Sequence, residues 1–148
     1  MRSPGLALFV FGAWWMLRGI ELSAARMDHV TIDEDARTAT WTLPASKTDI
    51  QAMGAARTHR CRCLETSTTT CPYHLMIMYL GLLGDTFPQQ SKEGSFPLFP
   101  AKDGTGLSKK ATAEAVRMAE WFVTETAIHN PMKASQIVLS ASKALVCL

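Results

Sequence analysis

Charge is scarce in this sequence. Only 19% of its 148 residues are Asp, Glu, Lys or Arg, and the signs nearly cancel at a net +2, so composition alone gives no electrostatic footprint for nucleic acid. Cysteine is scarce too: four residues, at 61, 63, 71 and 147, are too few and too unevenly placed for a disulfide scaffold, which points to a reducing compartment. No internal repeat and no low-complexity segment is present, which removes solenoids and disordered polar tracts from consideration. The one long apolar run, GLALFVFGAWWML from Gly5 to Leu17, is short of the ~20 residues needed to span a bilayer. With Met1-Arg2 ahead of it the run resembles a secretory signal, but it continues into Arg18 and Glu21 with no small-residue cleavage site directly after it. A buried helix is the better reading than a targeting segment.

What is present is a globular composition, 47% hydrophobic over about one domain's length, and a core of that size buries roughly two thirds of the unfolded surface. The patterning predicts a mainly helical α+β fold with a small antiparallel sheet of two or three strands. A first helix is expected from about Gly5 to Ala25, apolar almost all round up to Leu17. Gly12 in its middle implies close packing against a neighbour or a missing structural context upstream. From His29 the period becomes two. Val30 and Ile32 alternate with Thr31 and Asp33, then Ala39, Trp41 and Leu43 with Thr38, Thr40 and Thr42, a hairpin turning at Asp33-Glu34-Asp35. Pro44 ends the second strand and Ala45 to Asp49 form a polar tip. A third strand is expected at about Arg57 to Cys63. Cys71-Pro72 starts a helix running to about Leu83, closed by Gly84. Asp85 to Gly106, rich in Pro and Gly, reads as a long loop of the functional or mobile kind. Ser108 caps a helix from Lys109 to about Ile128, and a weak last helix follows Pro131.

Two cations stand out, Arg18 and Lys47, in the stretch WWMLRGIELSAARMDHVTIDEDARTATWTLPASKTD. The setting Leu17-Arg18-Gly19-Ile20-Glu21-Leu22, followed by a hairpin and LPASKTD, resembles the opening of the catalytic domain of tyrosine recombinases, the phage-integrase-like enzymes, in the versions carried by eukaryotic mobile elements. The resemblance spans residues 5–119 and leaves 120–148 as a divergent tail, so it implies a single partial domain. It implies that Arg18 binds a scissile phosphate and that Lys47 protonates the leaving 5′ oxygen. A guanidinium offers a phosphate a rigid fork of donors, and a lysine on a turn can act as a point acid. It also implies DNA as partner, self-association as in recombinase assemblies, no membrane, a nuclear or other intracellular location, and no cofactor for the chemistry.

The resemblance stops where the chemistry would be completed. His129-Asn130-Pro131-Met132 is not the family's histidine-x-x-arginine box, and the tyrosines, Tyr73 and Tyr79, both lie upstream of where a nucleophile belongs. Without a second arginine and a nucleophile the covalent route to a strand break is missing. The chain is expected to bind DNA through Arg18, Lys47, Arg57, Arg60 and Arg62 and not to cleave it alone.

A second constellation competes for interpretation. His59, Cys61, Cys63, Cys71 and His74 are five soft ligands in sixteen positions. Cys61, Cys63, Cys71 and His74 match a structural Cys₃His zinc site tying the third strand to the middle helix. The Cys-x-Cys spacing is less typical of zinc than Cys-x-x-Cys and favours free thiols. A small zinc-stabilised interaction module with no nucleic-acid role is the alternative to the DNA-binding reading.

Overall fold

The computed structural model describes residues 4–43, 55–64 and 71–129. Among these residues the fold is α+β, with four α-helices and a three-stranded antiparallel sheet. The order along the chain is α1 (Pro4–Trp15), α2 (Gly19–Ser23), β1 (Val30–Asp33), β2 (Thr38–Leu43), β3 (Ala55–Arg60), α3 (Pro72–Thr86) and α4 (Lys109–His129).

The sheet follows from the alternation in the sequence. The strands lie in the order β1-β2-β3, with Val30 opposite Trp41 and Trp41 opposite Arg57. Central β2 buries Ala39, Trp41 and Leu43 on one face, while Thr40 and Thr58 exchange a hydroxyl hydrogen bond of 2.8 Å on the other. Four segments meet over the buried face. Phe11 from α1 packs on Trp15 and Tyr79 at ring separations of 5.7 and 5.1 Å, and Phe99 stacks on Trp41 at 6.0 Å with 25° between planes. Each such pair is worth about 0.5–1.5 kcal/mol beyond its buried area.

The single first helix expected over Gly5–Ala25 is two helices. α1 ends at Trp15, Met16 turns left-handed at φ 52°, and α2 starts after Arg18. Its cause lies in β3. The last carbonyls of a helix lack intrahelical partners and favour a cation, and the Arg57 guanidinium donates to the carbonyls of both Trp15 and Met16. Gly12 does approach a neighbour, since a Cβ there would stand 3.2 Å from Leu22 Cδ1.

The long loop is held in place. Met27 N–H donates to Phe96 O, Asp28 N–H to Gly94 O and Leu98 N–H to Ala25 O, at 2.9–3.0 Å. Tyr79 Oη adds a 2.9 Å bond to Leu98 O, and Leu98 and Phe99 are buried. Its side chains complete the core, so neither length nor proline content makes it a free loop. α3 continues through Gly84 to Thr86, so that glycine is not its cap. Ser108 Oγ does cap α4, accepting from Ala111 N–H at 3.1 Å, and α4 packs along α1 and α2. No helix among the described residues is long and apolar enough to cross a membrane. The polar tip with Lys47 and the segment after Pro131 lie outside the described residues.

Candidate metal centre and the arginine turn

Cys61 and Cys63 sit on the extended tail of β3, where alternate residues point the same way. Arg57, His59, Cys61 and Cys63 are half-buried, while Thr58, Arg60, Arg62 and Leu64 are exposed. On the other side of the site, Pro72 opens α3 with Cys71 as the residue before it, and one turn along, His74 projects from the same helix end. A backbone bond from Cys61 N–H to Arg37 O, 2.8 Å, anchors the strand tail.

These two elements bring four ligands together. The sulfurs of Cys61, Cys63 and Cys71 lie 3.7, 3.0 and 3.4 Å from His74 Nδ1, and all four ligand atoms fall within 4.8 Å of one another. A tetrahedral zinc with bonds of about 2.3 Å to sulfur and 2.05 Å to nitrogen requires sulfur–nitrogen separations of roughly 3.5 Å, and the three observed distances scatter around that value. No disulfide joins Cys61, Cys63 or Cys71. The cluster is therefore a possible zinc site, and the Cys-x-Cys spacing that argued for unassociated thiols suits it because the strand places both sulfurs on one side. Four protein ligands fill a tetrahedron, so such a site is structural, with no open position for catalysis.

The surroundings of Cys71 favour its thiolate. Burial pushes its thiol up, but the amides of Arg62 and His74, the His74 ring and the Cys63 thiol outweigh that and bring it from an ordinary 9.0 to about 6. The Arg62 N–H donates to its sulfur at 3.2 Å. His59, the fifth ligand suggested by the sequence, is committed elsewhere. Its Nε2 lies 2.7 Å from Trp14 O, and since a carbonyl only accepts, Nε2 carries the proton. Its ring stands edge-on to Trp15 at 5.0 Å.

Arg18 lies in the turn between α1 and α2, not inside a buried helix. Its side chain is 69% exposed. Glu21 holds it: Arg18 N–H donates to Oε2 at 2.7 Å, and Nε and Nη2 donate to Oε1 at 3.1 and 2.8 Å. Burial raises the Glu21 carboxyl, but the Arg18 amide and guanidinium, with a contribution from Arg57, hold it below the usual carboxylate value. Arg57 is turned inward onto the α1 carbonyls, so its guanidinium is not laid out along the surface as a basic stretch would require. Arg60 and Arg62 stand on the exposed side of the strand. Lys47 lies outside the described residues, in the connection between β2 and β3. Tyr73 and Tyr79 are both buried, and burial pushes the Tyr79 phenol well up.

Sequence reasoning missed the role of Arg57 and His59 as caps on α1. The signal was present as their spacing of two, which places them on the same strand face as Cys61 and Cys63. Comparison with protein-family models, with curated proteins and with solved structures finds no match.

Proposed function

We propose that this chain is a zinc-stabilised DNA-binding domain derived from the first half of a tyrosine-recombinase catalytic domain, unable by itself to break and rejoin DNA. The observation that carries the DNA-binding reading is Arg18, which is exposed, oriented by Glu21 at the start of a short helix and followed by a three-stranded meander. Of five guanidinium N–H donors, two point at Glu21, which leaves the rest of a preoriented fork for a phosphate. Lys47 falls in the β2–β3 connection, the position that the resemblance to the recombinases assigns to a general acid. Both tyrosines are buried in the core side of α3, which supports a binding role without strand cleavage, and DNA as partner implies a nuclear or other intracellular location.

Titration of fluorescent duplex DNA over a range of salt tests this reading. Expected is an affinity that falls steeply with salt, with Arg18→Ala weakening binding several-fold and reducing the salt slope by about one. Zinc-loaded protein with no salt-sensitive affinity for duplex DNA would reject it and leave the small zinc-stabilised interaction module. The zinc part rests on the four converging ligands. Metal analysis of purified protein is expected to give one equivalent of zinc, and cobalt substitution a tetrahedral thiolate spectrum.

A further inference from the structure

One face of one strand joins the two sites. At its start Arg57 and His59 bond the carbonyls of Trp14, Trp15 and Met16, and the Trp15 indole N–H returns a 3.1 Å bond to Arg57 O. At its end Cys61 and Cys63 meet His74 and Cys71. Arg57, His59, Cys61 and Cys63 are spaced by two, so a strand held in register at one end is held in register at the other. A slip of one residue would turn all four outward together.

β3 is an edge strand of the described sheet, paired within it with β2 alone. Nothing else in that sheet fixes its register from the far side. Meanwhile the turn that carries Arg18 depends on β3. Met16 adopts a left-handed conformation unfavourable for a side chain with a Cβ, and its carbonyl is held by Arg57. Arg18 begins two residues later.

We infer that a metal ion bound by Cys61, Cys63, Cys71 and His74 sets the Arg18 turn, by locking the register of β3 and so the grip of Arg57 and His59 on the end of α1. The inference rests on the zinc reading proposed above, and makes Arg57 a positioning residue. It predicts that phosphate binding at Arg18, where present, is metal-dependent although no metal ligand touches Arg18.

Hydrogen exchange on the full chain, loaded with zinc and then stripped by a chelator, tests it without requiring DNA. The reporting amides are Leu17, bonded to Gly12 O, and Glu21 and Leu22, bonded to Arg18 O, with Thr112, bonded to Ser108 O, as the control. Stripping is expected to speed exchange at the first three at least tenfold and to leave Thr112 unchanged. Arg57→Gln in the zinc-loaded protein is expected to do the same while one equivalent of metal stays bound, so the link from Arg57 to the turn can still fail if stripping unfolds the whole chain. Stoichiometric zinc with unchanged exchange in Arg57→Gln would overturn the coupling and leave the zinc site standing. Failure to take up zinc or cobalt would overturn the zinc reading and the coupling with it.

Discussion

Replacing Cys71 by serine separates a metal ligand from a merely buried thiol. The Cys71 side chain is fully buried. A buried hydroxyl without partners costs about 1–3 kcal/mol, but the Arg62 N–H, 3.2 Å from the present sulfur, is placed to donate to serine, so the metal-free cost should be about 1 kcal/mol. With free zinc held a thousandfold above the dissociation constant, a bound ion adds about 4 kcal/mol to the folded state. A variant missing one of four ligands forfeits most of that, for a total cost of about 5 kcal/mol. Taking about 3 °C per kcal/mol for a chain of this size, the midpoint of thermal unfolding should fall by about 3 °C in chelator and about 15 °C in buffered zinc. Circular dichroism melts of both proteins in both buffers give the four midpoints. Equal small shifts in the two buffers would refute the metal centre and return Cys61, Cys63 and Cys71 to the status of ordinary thiols.

Three further substitutions probe other parts of the structure. Met16→Gly should raise stability by about 0.5–1 kcal/mol, because glycine relieves a left-handed strain of about 1–2 kcal/mol and loses part of the gain to chain entropy; Met16 is 78% exposed, so little packing is lost, and urea unfolding reads the change. Thr112 is fully buried and its hydroxyl has no partner among the described residues, so Thr112→Val should stabilise by about 1 kcal/mol in the same assay, and a loss of stability would show that the hydroxyl is satisfied. Because the Glu21 carboxyl is lowered in the folded protein, its contribution is complete above its ordinary value of 4.5 and disappears as pH falls through the folded value. Stability curves of wild type and Glu21→Gln should therefore differ at neutral pH and converge in acid, whereas parallel curves would remove the Arg18 pairing from the account.

Much of the local structure was legible because single residues carry it. The alternation through Ala39, Trp41 and Leu43 fixes the buried face of β2, Pro72 marks the start of α3, and Ser108 caps α4. The break after Trp15 was not legible, since no proline or glycine stands at 16 or 17 to signal it. It is imposed by Arg57, more than forty residues away. The docking of the long loop was hidden for a different reason: bonds such as Met27 N–H to Phe96 O join backbone groups, which every residue type possesses. For the candidate metal site, sequence supplied the ligands but not their convergence, which depends on where β3 ends relative to the first turn of α3.

The stacking of Phe99 on Trp41 also bears on how the chain is made. The core cannot close until Phe99 is available, 58 residues (99 − 41) after Trp41 has been synthesised. At about 5–20 residues per second that is a wait of roughly 3–12 s, during which Phe11, Trp15 and Trp41 have no partner from this segment. A nascent chain in that condition is a natural client for chaperones that hold exposed aromatic surface until Phe99 has been made.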